Sequence, residues 1–446
     1  MSPARHRRLM ASLNRRFAAS SPQGTKKRLG RPGASLEIAP RSRRFAASSP
    51  QGAKKRLGRP GAFLVGCLTV MLTLVAGCST VSETVDKFNP FSSSAPKVKP
   101  AELPFIKASA GVGVSWQAGV GAAGEFVFTP AVVGESVYAA ARDGTITRYD
   151  GGRQVWRVSA GQTLSGGVGS DGKTVAVGTA KGEVLAFDAA NGNALWKART
   201  SSEVLSAPAI GGGLVMVRSG DARVFGFDAG DGKRRWVYQR STPALALRSN
   251  VSVLATEDAI IAGFPGGKMV VINAKNGAAM WEATVAVPKG ATELERVADL
   301  TSLPVLDGRD ICAVAFQGRI ACFDLGTGNA SWSRELSSSF GLDMDGRYVY
   351  VSDDKGTVQA FDRHNGSSVW KQDQLANRLV SRPLALGNFV IVADYQGFVH
   401  VLNREDGAFV ARLATDGSAV SADPKRFGNG FLVQTRNGGL FAITVN

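Results

Sequence analysis

Four cysteines and three histidines are the residues of this 446-residue chain best suited to covalent or metal chemistry. Their spacing argues against most of it. His6 stands near the start, and His364 and His400 fall in different local contexts, the first in a turn pattern and the second in a strand pattern. A zinc site needs two or three histidines or thiolates brought together, and no such set is offered. There is no G-x-S-x-G elbow, no P-loop and no Gly-rich strand-to-helix fingerprint. In a chain this rich in serine, one Ser near one His carries no meaning. Cys312 and Cys322 lie ten residues apart about a Gln317-Gly318 turn. That spacing places them on adjacent antiparallel strands, nearly opposite one another. In an oxidising compartment they can be joined; the other reading is two small core residues, and strict disulfide geometry leaves both open.

The remaining cysteines belong to a leader. Cys67 sits in an uncharged apolar stretch from Ala62 to Gly77, which follows Lys54, Lys55, Arg56 and Arg59 and ends in Leu74-Val75-Ala76-Gly77-Cys78. A basic segment, an apolar segment and small residues are the order of a secretory signal. The closing five residues resemble the bacterial lipobox. The resemblance implies cleavage before Cys78, with a covalent lipid on that residue as the only attached group. Several acyl chains, at about 0.8 kcal/mol per buried methylene, anchor a protein without a spanning helix. An uncleaved apolar anchor is the alternative, since about 20 apolar residues cross a bilayer. Ser79 after the lipid cysteine matches the pattern exported to the outer membrane. Upstream, residues 15–36 recur nearly unchanged as residues 43–64. This basic, Ser/Pro/Gly-rich duplication cannot bury enough surface to order itself. The expected division is a removed leader over residues 1–77, a flexible lipid-anchored tether over residues 78–104, rich in Ser, Pro and Lys, and one folded domain over residues 105–446.

A formal charge of +17 raises the question of nucleic acid, but the charge sits in the leader. Residues 1–77 hold 16 Lys and Arg against the single acid Glu37, leaving 37 basic and 35 acidic residues in the rest. A phosphate-binding surface needs clustered cations, and a nearly balanced domain gives no overall sign of one. Nucleic acid is not an expected partner.

The elements that must position anything in the body repeat with a period near 40. Trp156, Trp196, Trp236, Trp281, Trp332 and Trp370 are spaced by 40, 40, 45, 51 and 38 residues. Each closes a segment such as KGEVLAFDAANGNALW, in which a tight turn opens a strand, Asp or Asn begins a second turn, and Gly completes it. Asp188, Asp228, Asn273, Asp324, Asp362 and Asn403 are therefore turn residues and not catalytic carboxylates. A further pair of strands precedes each hairpin, giving four strands per unit, and the central turns from Asp143-Gly144 to Asn437-Gly438 number eight. The last unit stops at Asn446 before its Trp strand, while an orphan strand with Trp116 opens the domain. Together they complete one blade. The expectation is an all-β, eight-bladed β-propeller of four-stranded antiparallel blades, its ring closed by the Trp116 strand pairing with the C-terminal blade, which removes the exposed edge of a linear array.

The spacing of small residue, Asp, Gly and Trp, as in Ala186, Asp188, Gly192 and Trp196, resembles the tryptophan-docking motif of the quinoprotein family. The resemblance implies that Trp116 and the six other tryptophans cement neighbouring blades. Two units depart: the first shortens its turn to Asp150-Gly151-Gly152, and the seventh has Ala411 where Trp is expected. Those two seams are expected to be weaker. Quinoprotein enzymes bind pyrroloquinoline quinone and calcium with an adjacent Cys-Cys pair and long insertions; neither is present, so no enzyme and no metal or organic cofactor is expected. Lipobox, tether and propeller together are similar to the BamB family, propeller lipoproteins of the β-barrel assembly machinery. That resemblance implies a scaffold on the periplasmic face of the outer membrane, with BamA POTRA domains and the rest of the BAM complex as partners. Unfolded outer-membrane proteins are a further partner, taken up at blade edges. Residue by residue it places Leu245, Leu247 and Arg248 of the stretch 243–248 at the BamA contact, with Asp299 from a second loop, where Thr301 stands in place of a second acid. Without the family, the first stretch reads as an ordinary start of a strand and the second as a solvated charged loop. A quinoprotein-like enzyme and a periplasmic ligand or peptidoglycan binder are the rivals; a bound redox cofactor marks the first and a central small-molecule pocket the second.

Overall fold

A computed structural model describes residues 99–446. Cys78, the expected lipid-attachment residue, and the expected leader and tether up to residue 98 lie outside the described residues. Eight four-stranded antiparallel sheets follow one another along the chain. Blades 1 to 7 span residues 131–159, 169–199, 209–238, 254–284, 305–335, 341–372 and 384–414. Blade 8 combines residues 425–445 with Val112–Gly119, which pairs antiparallel with Gly439–Val445 as the outermost strand. First and last strands thus share one sheet, and the eight-bladed ring closes as the repeats require.

Burial follows strand position. The second strand of a blade is buried nearly throughout, and Thr174–Gly178 and Tyr348–Ser352 at every residue, because neighbouring blades cover both its faces. These strands are accordingly runs of Val, Ile and Ala without alternation. The outermost strand meets solvent and alternates, as in Ala194–Arg199. In blades 1 to 7 this strand carries a bulge immediately before the tryptophan position; in blade 2, Ala186 faces Trp196 while Phe187 faces Ala194. The extra residue is pushed outward, with Val155, Leu195 and Val369 39–47% exposed, and the indole is turned inward.

Each indole then lies on the next blade's motif turn. Trp332 shows why that turn needs glycine: Gly366 has φ +68°, and a Cβ there would come within 2.3 Å of the ring. The indole N–H donates to a carbonyl of the same turn for Trp156 (Ala189, 3.1 Å), Trp196 (Ala229, 2.8 Å), Trp236 (Ala274, 2.8 Å), Trp332 (Arg363, 2.7 Å) and Trp370 (Arg404, 2.8 Å). Trp116 packs on Gly152 of the shortened turn, but its Nε1 and that of Trp281 have no partner.

Cys312 and Cys322 face each other across the hairpin of blade 5 and are joined, their Cα atoms 4.1 Å apart. Residues 99–104, expected to belong to the free tether, lie along blade 7 instead. Ala101 N donates to Ala376 O at 2.9 Å, and Arg378 and Arg412 donate to the carbonyls of Ala101 and Pro104 at 3.0 and 2.9 Å. The segment was unreadable as structure because its order comes from backbone carbonyls meeting distant arginines, which no local pattern encodes.

Candidate functional site

In a blade, the turn between second and third strands and the connection to the next blade emerge on the same face of the ring. The expected contact loop is the connection between blades 3 and 4, residues 239–253, and the second loop is the connection between blades 4 and 5, residues 285–304. The fold therefore sets them side by side, with the Gly266-Gly267 turn of blade 4 between them.

Asp299 joins the three. Its carboxylate accepts the Leu247 N–H at 2.7 Å and the Gly266 N–H at 3.0 Å, and the residue is only 2% exposed. Its own carbonyl accepts Phe316 N at 2.9 Å, tying the connection to the turn of the disulfide-bonded hairpin. On that turn Gln317 holds a left-handed φ of +48°, and its side-chain amide reaches the carbonyls of Val297 and Glu295 at 3.1 and 3.2 Å. A buried carboxylate needs compensation. Arg218 supplies it: burial lowers its pKa to about 10 against the opposing pull of Asp299, and its guanidinium lies 5.8 Å from the Phe264 ring centroid. Asp299 is thus a bracket beneath the surface, with both oxygens engaged, and not an exposed acid.

What the bracket holds up is apolar. Leu245 and Leu247 are 39% and 38% exposed on a loop without regular structure, and Val287 and Leu294 of the second loop are more exposed still. Arg248 makes a two-pronged ion pair with Glu203, both contacts 2.8 Å, and this hydrogen bonding raises its pKa. The pair lies at the surface, so its value is orientation more than stability. The structure brings all four expected residues together: two leucines and an arginine outward, the aspartate inward. Sequence reasoning missed Arg218, Glu203, Val287 and Leu294. Only Arg218 left a signal, a charge closing the buried run Leu214–Arg218.

Two exposed leucines beside a fixed guanidinium on a rigid frame suit contact with another protein. Among the described residues no group of three or more His, Cys, Asp or Glu is arranged to hold a metal ion. The motif acids serve their turns, as in Asp188, whose Oδ1 accepts Ala190 N at 2.7 Å.

Comparison with known proteins gives the same shape and a specific kinship. The propeller is similar to the crystal structure of BamB from Moraxella catarrhalis, with a TM-score of 0.70 and 26% identity over 75% of this chain and 100% of that one. A quinohemoprotein alcohol dehydrogenase from Comamonas testosteroni aligns with a TM-score of 0.62 at 13% identity over 74% of this chain and 76% of that one, a likeness of fold alone. In sequence the chain is 43% identical over 382 residues to the outer membrane protein assembly factor BamB of Bordetella pertussis, covering 85% of this chain and 96% of that protein. It is 32% identical over 396 residues to the same factor of Escherichia coli, covering 85% and 98%. The family model described as outer membrane protein assembly factor BamB matches residues 142–372. The chain belongs to the BamB family of outer membrane protein assembly factors.

Proposed function

We propose that this protein is a non-enzymatic scaffold for the assembly of outer membrane proteins, and that the Leu245, Leu247 and Arg248 loop is its contact with the POTRA domains of BamA. The observation that carries the reading is the loop's construction. Two leucines are left in solvent beside a guanidinium oriented by Glu203, while a buried acid fixes the backbone between them. Nothing in the propeller's packing requires those leucines to be there, and exposed apolar anchors on a held loop are what a protein interface uses. Asp299 acts through the loop and not on the partner. The lipid on Cys78 holds the scaffold at the periplasmic face of the outer membrane, where BamA and the rest of the BAM complex are its partners.

The test is retention of partners from solubilised outer membrane by the lipidated full chain, with mass spectrometry of what is held. A POTRA-containing barrel protein should be retained by the wild type and lost with Leu245→Ala/Leu247→Ala/Arg248→Ala, whose fold is checked by circular dichroism. Retention by the folded triple variant would remove the site; absence of the partner even with wild type would remove the scaffold reading. Asp299→Asn should weaken retention less than the triple change, since one backbone bracket is loosened while both leucines remain.

A further inference from the structure

A large cavity lies on the propeller axis, and its chemistry is lopsided. Its volume is about 950 Å³, and it is lined all round the ring by blade residues, from Ala131 in blade 1 to Lys425 in blade 8, and by the connections between blades. That volume is in the range of small-molecule sites. The charged groups on its wall are Arg382 from the connection before blade 7, Lys425, Arg426 and Arg436 from blade 8, and the acid Asp423 from the connection between blades 7 and 8. The wall from blade 1 to the connection before blade 4 is uncharged, and Pro130, Pro208 and Val251 present apolar surface there between Thr129, Ser170, Asn250 and Ser252.

The cations are incompletely satisfied. Arg382 donates Nε to Leu342 O at 2.7 Å and reaches Asp423 only at 3.5 Å. Arg426 donates to Ala385 O, a carbonyl and not a carboxylate. Arg436 likewise donates to a carbonyl, Gly124 O, at 2.8 Å. The Lys425 ammonium makes no hydrogen bond or ion pair; its charged neighbours are Asp423, Arg382 and Asp343. Asp343 behind the wall makes no ion pair with these cations; its carboxylate accepts the Ala385 N–H at 2.9 Å. Four cations against the single acid Asp423, at one side of a cavity whose other side is uncharged and carries the apolar surface of Pro130, Pro208 and Val251, leave a place for a negative group joined to an apolar one.

We infer that the axial cavity binds a small organic anion, its carboxylate held among Arg382, Lys425 and Arg426 and its apolar part against Pro130, Pro208 and Val251 across the cavity. The same chemistry is found in a free carboxylic acid and at the carboxyl end of an extended apolar peptide. The site is separate from the Leu245 loop and does not depend on the scaffold reading.

Calorimetric titration of the full chain with phenylpropionate, with its neutral amide and with an N-acetylated Ala-Ala-Val peptide tests the inference. Both carboxylates should bind saturably, and phenylpropionate at least tenfold tighter than the amide of nearly the same shape. The tighter of acid and peptide identifies the source. Lys425→Met, which keeps the side-chain length and removes an unpaired charge, should weaken both carboxylates at least tenfold with an unchanged circular dichroism spectrum. Equal binding of acid and amide, no saturable binding of either carboxylate, or wild-type affinity in folded Lys425→Met would each overturn it. The comparison of acid with amide needs only the wild type, so a failure of the variant to fold does not remove the test.

Discussion

The seams between blades 2 and 3 and between blades 7 and 8 join the same kind of surface in different ways. At the first, Trp196 lies over Gly232 and donates to Ala229 O at 2.8 Å. At the second the outer strand of blade 7 keeps the bulge that elsewhere turns an indole inward, yet the residue turned inward is Ala411. The gap is taken up from outside. Val410, at the bulge, is 7% exposed where its counterparts Val155 and Leu195 are 44% and 47%, because its carbonyl accepts Ser109 N and Ala110 N from the N-terminal segment. That segment is held in turn by a buried ionic chain. Arg378 meets Asp394 at 2.7 Å, Asp394 meets His400 Nε2 at 3.1 Å, and Arg412 donates to His400 Nδ1 at 3.1 Å. One seam is local and apolar, readable in a single repeat; the other uses residues some 300 positions apart and is polar. The difference teaches that a motif lost from one repeat need not leave a weak seam when the ring's closing segment passes beside it.

Breaking the polar seam should cost most. Arg378 is 2% exposed and Asp394 fully buried, so Arg378→Met leaves an uncompensated carboxylate and should destabilise by about 3–5 kcal/mol. The same change removes the donor to Ala101 O, so residues 99–104 should be cut early by added protease. Urea midpoints and limited proteolysis read the two effects separately. A large loss of stability with the segment still protected would mean that its remaining bonds, from Ala101 N to Ala376 O, from Arg412 to Pro104 O and from the backbone of residues 109–111, hold it without Arg378.

The tryptophan seams can be graded among themselves. Trp332→Phe keeps a ring but strands Arg363 O, and should cost about 1–3 kcal/mol. Trp281 has no N–H partner, and a Cβ on its turn glycine Gly328 would stay 3.2 Å from the ring instead of the 2.3 Å found between Gly366 and Trp332. Trp281→Phe should therefore cost about 1 kcal/mol less than Trp332→Phe, a difference checked by paired urea melts. Equal costs would show that the N–H bond contributes nothing to these seams.

The architecture was legible because its signals are periodic. Tryptophans near every 40 residues and Asp-Gly turns between them fix blade count, strand order and closure, and the spacing of Cys312 and Cys322 placed them opposite one another. The candidate site was legible only as a likeness, since Leu245 and Leu247 in isolation read as the start of a strand. Asp299 was expected to face a partner, and its burial could not be read: its two backbone donors lie 33 and 52 residues away on different loops. The shortened turn at Gly152 was read as a weak point; Trp116 Nε1 on it has no partner, but neither has Trp281 Nε1 on a full-length turn, so turn length alone does not decide that bond. Ala411 was read the same way, but the strap over it depends on arginines whose targets are carbonyls.

The smallest expected effect sharpens the polar seam through pH. Arg412 donates to His400 Nδ1, which must then be an acceptor, so the ring's proton lies on Nε2 and faces Asp394. A second proton would set a cation against Arg412 and Arg378. Burial therefore holds the His400 pKa below the ordinary histidine value of about 6.5, against the upward pull of Asp394. With the folded value depressed, the unfolded chain binds more protons below about pH 6.5, so this contribution to stability is full above that pH and is lost as pH falls towards the folded value. Asp343 acts with the opposite sign, because a carboxyl raised by burial gains stability on acidification. The informative quantity is consequently a difference. The melting temperature of wild type should fall more between pH 7 and pH 5 than that of His400→Gln, which has no such proton to take up, and proteolysis of residues 99–111 should quicken over the same interval in wild type alone. Parallel pH profiles for the two proteins would mean that His400 does not couple acidity to the seam, and that the strap is held by Arg378 and the backbone irrespective of pH.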